Sequence, residues 1–112
     1  MIHPEQVHLA VEPVDMRWGS ERLSVYIQHT IGQNPCAGHA YAFTNRQRSR
    51  LKLLLWDVNG IWLCQRRLHR GVFKWPKTGD TTCTLRQDAW QWLVSGIEWQ
   101  RLASSVPAHG LV

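Results

Sequence analysis

The sequence predicts one α+β domain: a small antiparallel sheet of four to five strands with a central hairpin and two helices packed on one face. Short segments of alternating polarity between turn residues indicate the strands, and two stretches with apolar residues at helical spacing indicate the helices. A chain of 112 residues with 44% hydrophobic content can form a single core. We expect the domain to cover residues 1–102 and residues 103–112 to form a frayed tail.

The first half of the chain predicts a strand, a helix and another strand. Apolar side chains alternate along residues 7–11 (VHLAV), as in a short strand. Asp15 or Ser20 is expected to cap the following helix, because short polar side chains accept hydrogen bonds from the free N–H groups of a first turn. Gly32 is expected to end that helix, and residues 39–44 (HAYAFT) predict the second strand.

The central hairpin is predicted from RLKLLLW and IWLCQRRL, which DVNG connects. A three-residue loop with Gly60 at positive φ would place Trp56 opposite Trp62. This register is preferred because it collects an apolar row on one face, formed by Leu51, Leu53, Leu55 and Leu63. A two-residue turn would shift the pairing by one residue and mix Leu with Arg on both faces.

The last part of the domain predicts one further strand and one further helix. Residues 72–75 (VFKW) are expected to be extended up to Pro76. Thr84 and Gln87 have the spacing of a capping box, so we expect them to begin the second helix.

Residues 46–77 form what we call the basic ribbon, which holds nine of the thirteen Lys and Arg residues and one acid, Asp57. A surface with this charge favours a polyanion such as DNA. Trp56 and Trp62 are candidates for stacking on unpaired bases. The candidate phosphate-binding residues are Arg46, Arg48, Arg50, Lys52, Arg66, Arg67, Arg70 and Lys74.

Two alternatives stay open for this ribbon. Its cations can simply be solvated, with Trp56 and Trp62 buried under a helix. The ribbon can also dock on another protein, because aromatic side chains and Arg are common at the energetic centres of protein interfaces.

The titratable residues do not predict catalysis, a metal or a cofactor. The carboxylates considered for a Mg²⁺ site are Asp15, Asp57, Asp80 and Asp88, and a structural role suits most of them: Asp57 suits the hairpin turn and Asp88 the first turn of a helix. Cys36 and His39 form a close pair, but Cys64 and Cys83 are isolated, so the zinc pattern is weak. The odd number of cysteines and the polar N-terminus predict a cytoplasmic protein without a membrane partner.

Five blocks in this order resemble the small TnpB-type accessory protein of bacterial insertion sequences, which is encoded beside a separate transposase. The blocks are DMRWG (15–19), NPCAGHAYAF (34–43), KLLLWDVNGIWL (52–63), RRLHRGVFKWP (66–76) and TLRQDAWQWLVSGIEW (84–99). The chain differs from the family pattern at Trp18, Cys36, Val58, Asn59 and His69.

The resemblance implies a role in transposition, with DNA recombination as the process. From it and the basic ribbon we predict a non-catalytic accessory protein that binds element-end DNA. The alternative is an adaptor that docks on the transposase or another accessory subunit without contacting DNA.

Overall fold

The computed structural model describes residue 4 and residues 6–34, 37–77 and 81–100, and contains a five-stranded sheet with two helices. The predicted α+β class is confirmed. The predicted tail at 103–112 lies outside the described residues. The strands are β1 (Gln6–Ala10), β2 (Ala40–Thr44), β3 (Arg50–Trp56), β4 (Ile61–Arg67) and β5 (Thr82–Arg86). The helices are α1 (Ser20–Tyr26) and α2 (Gln87–Val94). α1 continues as a π-helical turn (Ile27–Ile31).

The strands follow the order β4-β3-β2-β1-β5, so the β3–β4 hairpin lies at an edge of the sheet and not at its centre. The prediction of a purely antiparallel sheet is also wrong, because β1 and β2 are parallel while the other neighbours are antiparallel. The parallel pair arises because the chain crosses over through α1 between these two strands. The sheet is therefore mixed.

The two helices cover opposite faces of the sheet, which corrects the prediction that both pack on one face. On the face that we call the α1 face, Leu23 and Ile27 pack with Tyr41, Phe43 and Leu54. On the opposite face, the α2 face, Trp90 and Leu93 pack with the other side of the same strands, including Leu9, Ala42 and Leu53. All five residues of β2 are buried. A strand whose side chains are apolar on both sides needs a cover on both faces.

The hairpin has a different register from the predicted one. Trp56 pairs with Ile61, and Trp62 pairs with Leu55, so the two tryptophans are not cross-strand neighbours. A four-residue loop, Asp57–Gly60, replaces the expected three-residue loop, and the Asp57 N–H donates to the Gly60 carbonyl oxygen at 2.9 Å. Gly60 is not at positive φ.

The side chain of Asp57 explains why this longer loop forms. Its Oδ1 accepts hydrogen bonds from the backbone N–H groups of Asn59 and Gly60, at 2.9 and 2.7 Å. The turn role predicted for Asp57 is thus confirmed. Because a shift of one residue exchanges the faces of a strand, Leu63 lies on the α1 face, apart from Leu51, Leu53 and Leu55 on the α2 face.

Three further local predictions are wrong. Residues 72–75 form no strand, although Phe73 and Trp75 are buried and the Trp75 indole donates to the Ala10 carbonyl oxygen at 2.7 Å. Thr84 lies within β5 and does not cap α2, whose N-cap is Arg86. Neither Asp15 nor Ser20 caps α1, which begins after Gly19 without a side-chain cap.

Glycine substitutions test the backbone at the two turns. Gly32 ends the π-helical turn at φ 81°, where a Cβ is strained, so Gly32→Ala should cost about 1 kcal/mol in the free energy of unfolding. Gly60→Ala should change it by less than about 0.5 kcal/mol, because φ is not positive there and no atom lies within 4 Å of an added Cβ. Urea unfolding measures both, and an equal loss in the two variants would contradict the hairpin geometry.

Candidate nucleic-acid interface

The fold brings three segments of the basic ribbon together at one end of the sheet. Arg50 begins β3 and pairs with Arg67 at the end of β4. The turn between β2 and β3 then contacts the chain that follows β4: the Leu68 N–H donates to the Ser49 carbonyl oxygen at 3.3 Å, and the Phe73 N–H to that of Arg48 at 2.8 Å. We call this region the basic end; its cations are Arg46, Arg48, Arg50, Arg66, Arg67, Arg70 and Lys74.

Asn45 organises the turn that carries Arg46 and Arg48. Its Oδ1 accepts hydrogen bonds from the N–H groups of Ser49 and Arg50, at 3.0 and 3.1 Å. Asn45 is not among the site residues predicted from the sequence. The available signal was an Asn directly after a predicted strand, a position where its side chain commonly bonds the backbone of a turn.

Arg48 has the one positive φ, 61°, among the described residues other than glycine. This left-handed conformation costs a residue with a Cβ roughly 1–2 kcal/mol, and nothing in the sequence predicts it. The strain is held by two backbone hydrogen bonds, from the Arg48 N–H to the Asn45 carbonyl oxygen and from the Phe73 N–H to that of Arg48. The turn therefore has an arginine with a strained backbone at a position where glycine would adopt the same φ at a lower cost.

The cations of the basic end are not neutralised by carboxylates within the described part of the chain. The single ion pair found there joins Arg17 to Asp15 at 2.7 Å. The side-chain hydrogen bond from Arg17 lowers the pKa of Asp15 to about 2. Asp15 is therefore a partner of Arg17. The N–H of Val14, the residue before it, donates to the carbonyl oxygen of Thr44, which directly precedes the β2–β3 turn.

Lys52 and Arg66 differ from the other candidates in their surroundings. Lys52 is only 5% exposed, and its Nζ donates to the Trp18 carbonyl oxygen at 2.7 Å, so its predicted place on an exposed cationic face is wrong. Its burial follows from the register, which turns it toward the α1 face.

Arg66 is exposed, but its Nε donates to the Val94 carbonyl oxygen at 2.6 Å, at the C-terminal end of α2. A cation is favourable at that end of a helix.

The two candidate stacking residues lie on opposite faces of the sheet and toward the other end of the hairpin from the turn that carries Arg46 and Arg48. Trp56 is half-buried and packs edge-on against Tyr41, with ring centroids 6.0 Å apart. Trp62 is 53% exposed, and its indole N–H donates to Asp57 Oδ2 at 2.9 Å. Along β3, Trp56 is six positions after Arg50, a distance of about 20 Å, and along β4, Trp62 is four positions before Arg66, about 13 Å. The tryptophans therefore form no joint platform beside the cations.

The described residues bring no three His, Cys, Asp or Glu side chains together as metal ligands. Cys64 and Cys83 lie on β4 and β5, the two edge strands, about 19 Å apart at the usual strand spacing. They cannot bind one zinc ion. Cys36 and Asp80 lie outside the described residues. Asp88 is in the first turn of α2, as predicted.

The comparisons with known proteins place the chain in a family of insertion-sequence accessory proteins. Residues 5–104 match the model of the IS66 Orf2 like protein family, so the chain belongs to that family. Two proteins of Sinorhizobium fredii (strain NBRC 101917 / NGR234) are similar: uncharacterized protein y4hO, 33% identical over 85% of this chain and 83% of its own length, and uncharacterized protein y4jC, 28% identical over 91% and 90%. No solved structure matches the chain.

None of the helices in the described residues is long and apolar enough to cross a membrane.

Acid titration tests the role of Asp57 in holding the hairpin turn. Its hydrogen bonds from the Asn59 N–H, the Trp62 indole and the Gly60 N–H lower its pKa below the ordinary 3.8. The stabilisation is therefore complete above pH 3.8 and is lost as the pH falls through the lower folded pKa. The indole N–H resonance of Trp62 should shift with a midpoint below 3.8, while that of Trp75, bonded to a backbone carbonyl, should not. A Trp62 midpoint at or above 3.8 would contradict this role.

Substitution of Arg48 tests whether the turn carries strain. Arg48→Gly should raise the free energy of unfolding by up to about 1 kcal/mol, because glycine adopts positive φ without a Cβ clash and keeps both backbone hydrogen bonds. Arg46→Gly, in the same turn without positive φ, should be neutral or destabilising. Urea unfolding compares the two, and a loss of stability in Arg48→Gly would argue against a strained turn.

Proposed function

We propose that this insertion-sequence accessory protein acts without catalysis and binds DNA through the phosphates at its basic end. The observation that supports the proposal is the convergence of cations from the β2–β3 turn, the end of β4 and the segment after it, with no described carboxylate paired to any of them. Solvated cations with nothing to neutralise them are a suitable surface for a polyanion.

The kind of cation supports phosphate as the ligand. Six of the seven cations are Arg, and a guanidinium can donate two parallel hydrogen bonds to one phosphate. Such contacts hold the nucleic acid in place but do not read its sequence. We therefore expect little sequence preference from this surface.

The separation of the tryptophans from the cations favours duplex DNA as the ligand. Sites for single strands usually combine aromatic platforms with cations along one groove. Here Trp62 lies about 13 Å along β4 from Arg66, whose Nε is bonded to the end of α2, and Trp56 is packed against Tyr41. A ligand recognised by its backbone alone suits this arrangement better than one held by base stacking.

The absence of catalysis is proposed from the positions of the described carboxylates. DNA cleavage by metal ions requires carboxylates that converge on a pair of ions. Asp57 is in the hairpin loop, Asp88 is on α2, and Asp15 is bonded to Arg17. The three lie in separate parts of the fold and each has a structural partner.

Two double variants with the same loss of charge test the DNA interface. Arg46→Ala with Arg67→Ala should weaken binding to all duplexes alike and reduce the slope of log K against log salt by roughly two, because two phosphate contacts are lost. Arg22→Ala with Arg86→Ala removes two exposed cations outside the basic end and should leave the slope almost unchanged. Fluorescence anisotropy with a labelled duplex at several salt concentrations measures both.

The same titration identifies the adaptor alternative. Equal DNA binding by the two double variants, or no salt-dependent binding by the parent protein at low ionic strength, would reject the basic end as a DNA surface. Binding of the cognate transposase by the parent protein in that situation would favour an adaptor.

A further inference from the structure

Strand β4 is an edge strand with exposed apolar side chains. β3 is its one neighbour in the sheet, and no described element covers its other side. Ile61, Trp62 and Leu63 are 47%, 53% and 38% exposed, and six of the seven β4 residues are exposed. The strand has no proline and no carboxylate. An open edge with these properties is a template for pairing with another strand.

The backbone groups available on this edge belong to alternate residues. In the β3–β4 hairpin, two residues lie opposite each other when their numbers add to 117. The opposed pairs Asp57–Gly60 and Ser49–Leu68, at the two ends of the hairpin, are hydrogen-bonded. Between them, hydrogen-bonded pairs alternate with pairs that are not hydrogen-bonded. By alternation, Trp62, Cys64 and Arg66 bond to β3. The N–H and C=O groups of the remaining β4 residues point to the free edge: Ile61, Leu63, Gln65 and Arg67.

The two halves of β4 have complementary properties on the α2 face. The first half presents the exposed Trp62. The second half borders a groove of about 240 Å³ between the hairpin and α2, with Arg66 among its lining residues. The other lining residues are mostly apolar and include Leu51, Leu53, Trp90 and Val94. The first half of β4 thus presents an exposed aromatic side chain, and the second half borders a groove that has a cation beside it.

We propose that two copies of this chain associate through their β4 strands, antiparallel, about a two-fold axis at Cys64. In this register Trp62 of one copy lies opposite the partner's Arg66, at the border of the partner's groove, and Ile61 lies opposite the partner's Arg67. Because the arrangement is two-fold symmetric, each contact occurs twice. The sheet then continues across both copies.

Charge complementarity supports a second copy as the occupant. An antiparallel arrangement places the basic half of each strand against the apolar and aromatic half of the other, so that no Arg of one strand faces an Arg of its partner. An Arg beside an indole is also a favourable cation–π pair. The free backbone groups of Leu63 meet those of the partner's Gln65, so all edge groups find partners.

Arg66 and Arg67 belong both to the basic end and to the self-association edge, whereas Ile61, Trp62 and Leu63 belong to the edge alone, and the two associations depend on salt in opposite ways. Each copy has a net charge of +5, so salt should strengthen self-association by screening repulsion between the copies. Salt should weaken DNA binding. Either activity can fail without the other.

Disulfide trapping tests the register. Directly opposed residues that are not hydrogen-bonded have Cα atoms about 4.5 Å apart, within the range for a disulfide. A variant with Cys36→Ser and Cys83→Ser keeps only the Cys64 thiol, which is free in the single chain. Oxidation with diamide should convert most of it to a covalent dimer. The control variant adds Cys64→Ser and Gln65→Cys to the same background. The two new thiols at position 65 then lie diagonally across the strand pair, on residues whose Cα atoms are more than about 7 Å apart, and should not cross-link.

Substitution of Trp62 tests the association without oxidation. Trp62→Lys places a cation opposite the partner's Arg66 and should weaken self-association roughly tenfold or more, measured by sedimentation equilibrium. Trp92→Lys, at a 38% exposed site on α2, is the matched control and should leave it unchanged. Circular dichroism confirms that both variants fold. A monomeric parent protein at about 100 µM, cross-linking through position 65 but not 64, or equal weakening in both variants would overturn the proposal.

Discussion

The burial of β2 on both of its faces is the constraint on which the rest of the fold depends. Ala40–Thr44 has no exposed residue, so one layer must cover each side of this strand. α1 provides one layer, and α2 with the segment around Phe73 and Trp75 provides the other. β1 and β3 occupy the flanks of β2, which leaves β4 and β5 as edges. The exposed character of β4 is therefore a consequence of how the centre of the sheet is buried.

The same constraint explains the division of the basic ribbon. β3 is covered on both faces, and its Lys52 bonds to the Trp18 carbonyl oxygen instead of reaching solvent. Cations outside the covered region gather where the turns and the strand ends meet, because those positions lie beyond the helices. The surface that looks continuous in the sequence is thus separated by the fold into a basic end and an apolar edge.

The sequence predicted the fold class and most elements, since alternation and turn residues are local signals. It failed where the outcome depended on nonlocal packing: HAYAFT gave no indication of which elements cover its two faces. The prediction of the hairpin register was wrong for a local reason. Asp57 accepts hydrogen bonds from the N–H groups of Asn59 and Gly60 and so stabilises a four-residue loop. Of the site, the cations were predictable from composition, whereas their convergence and the strain at Arg48 depend on tertiary structure.

The pairing of β1 with β5 has a consequence for the way the domain forms during synthesis. Gln6 pairs with Arg86, so the sheet closes only when nearly all of the described chain has left the ribosome. α1 and α2 have seven and eight residues, too few for either to be stable as an isolated helix. Contacts this distant in sequence slow folding, since a large loop must close before they form. Until then, both sides of β1 depend on partners that are not yet in place, and a chain truncated before β5 would expose an open strand to neighbouring nascent chains.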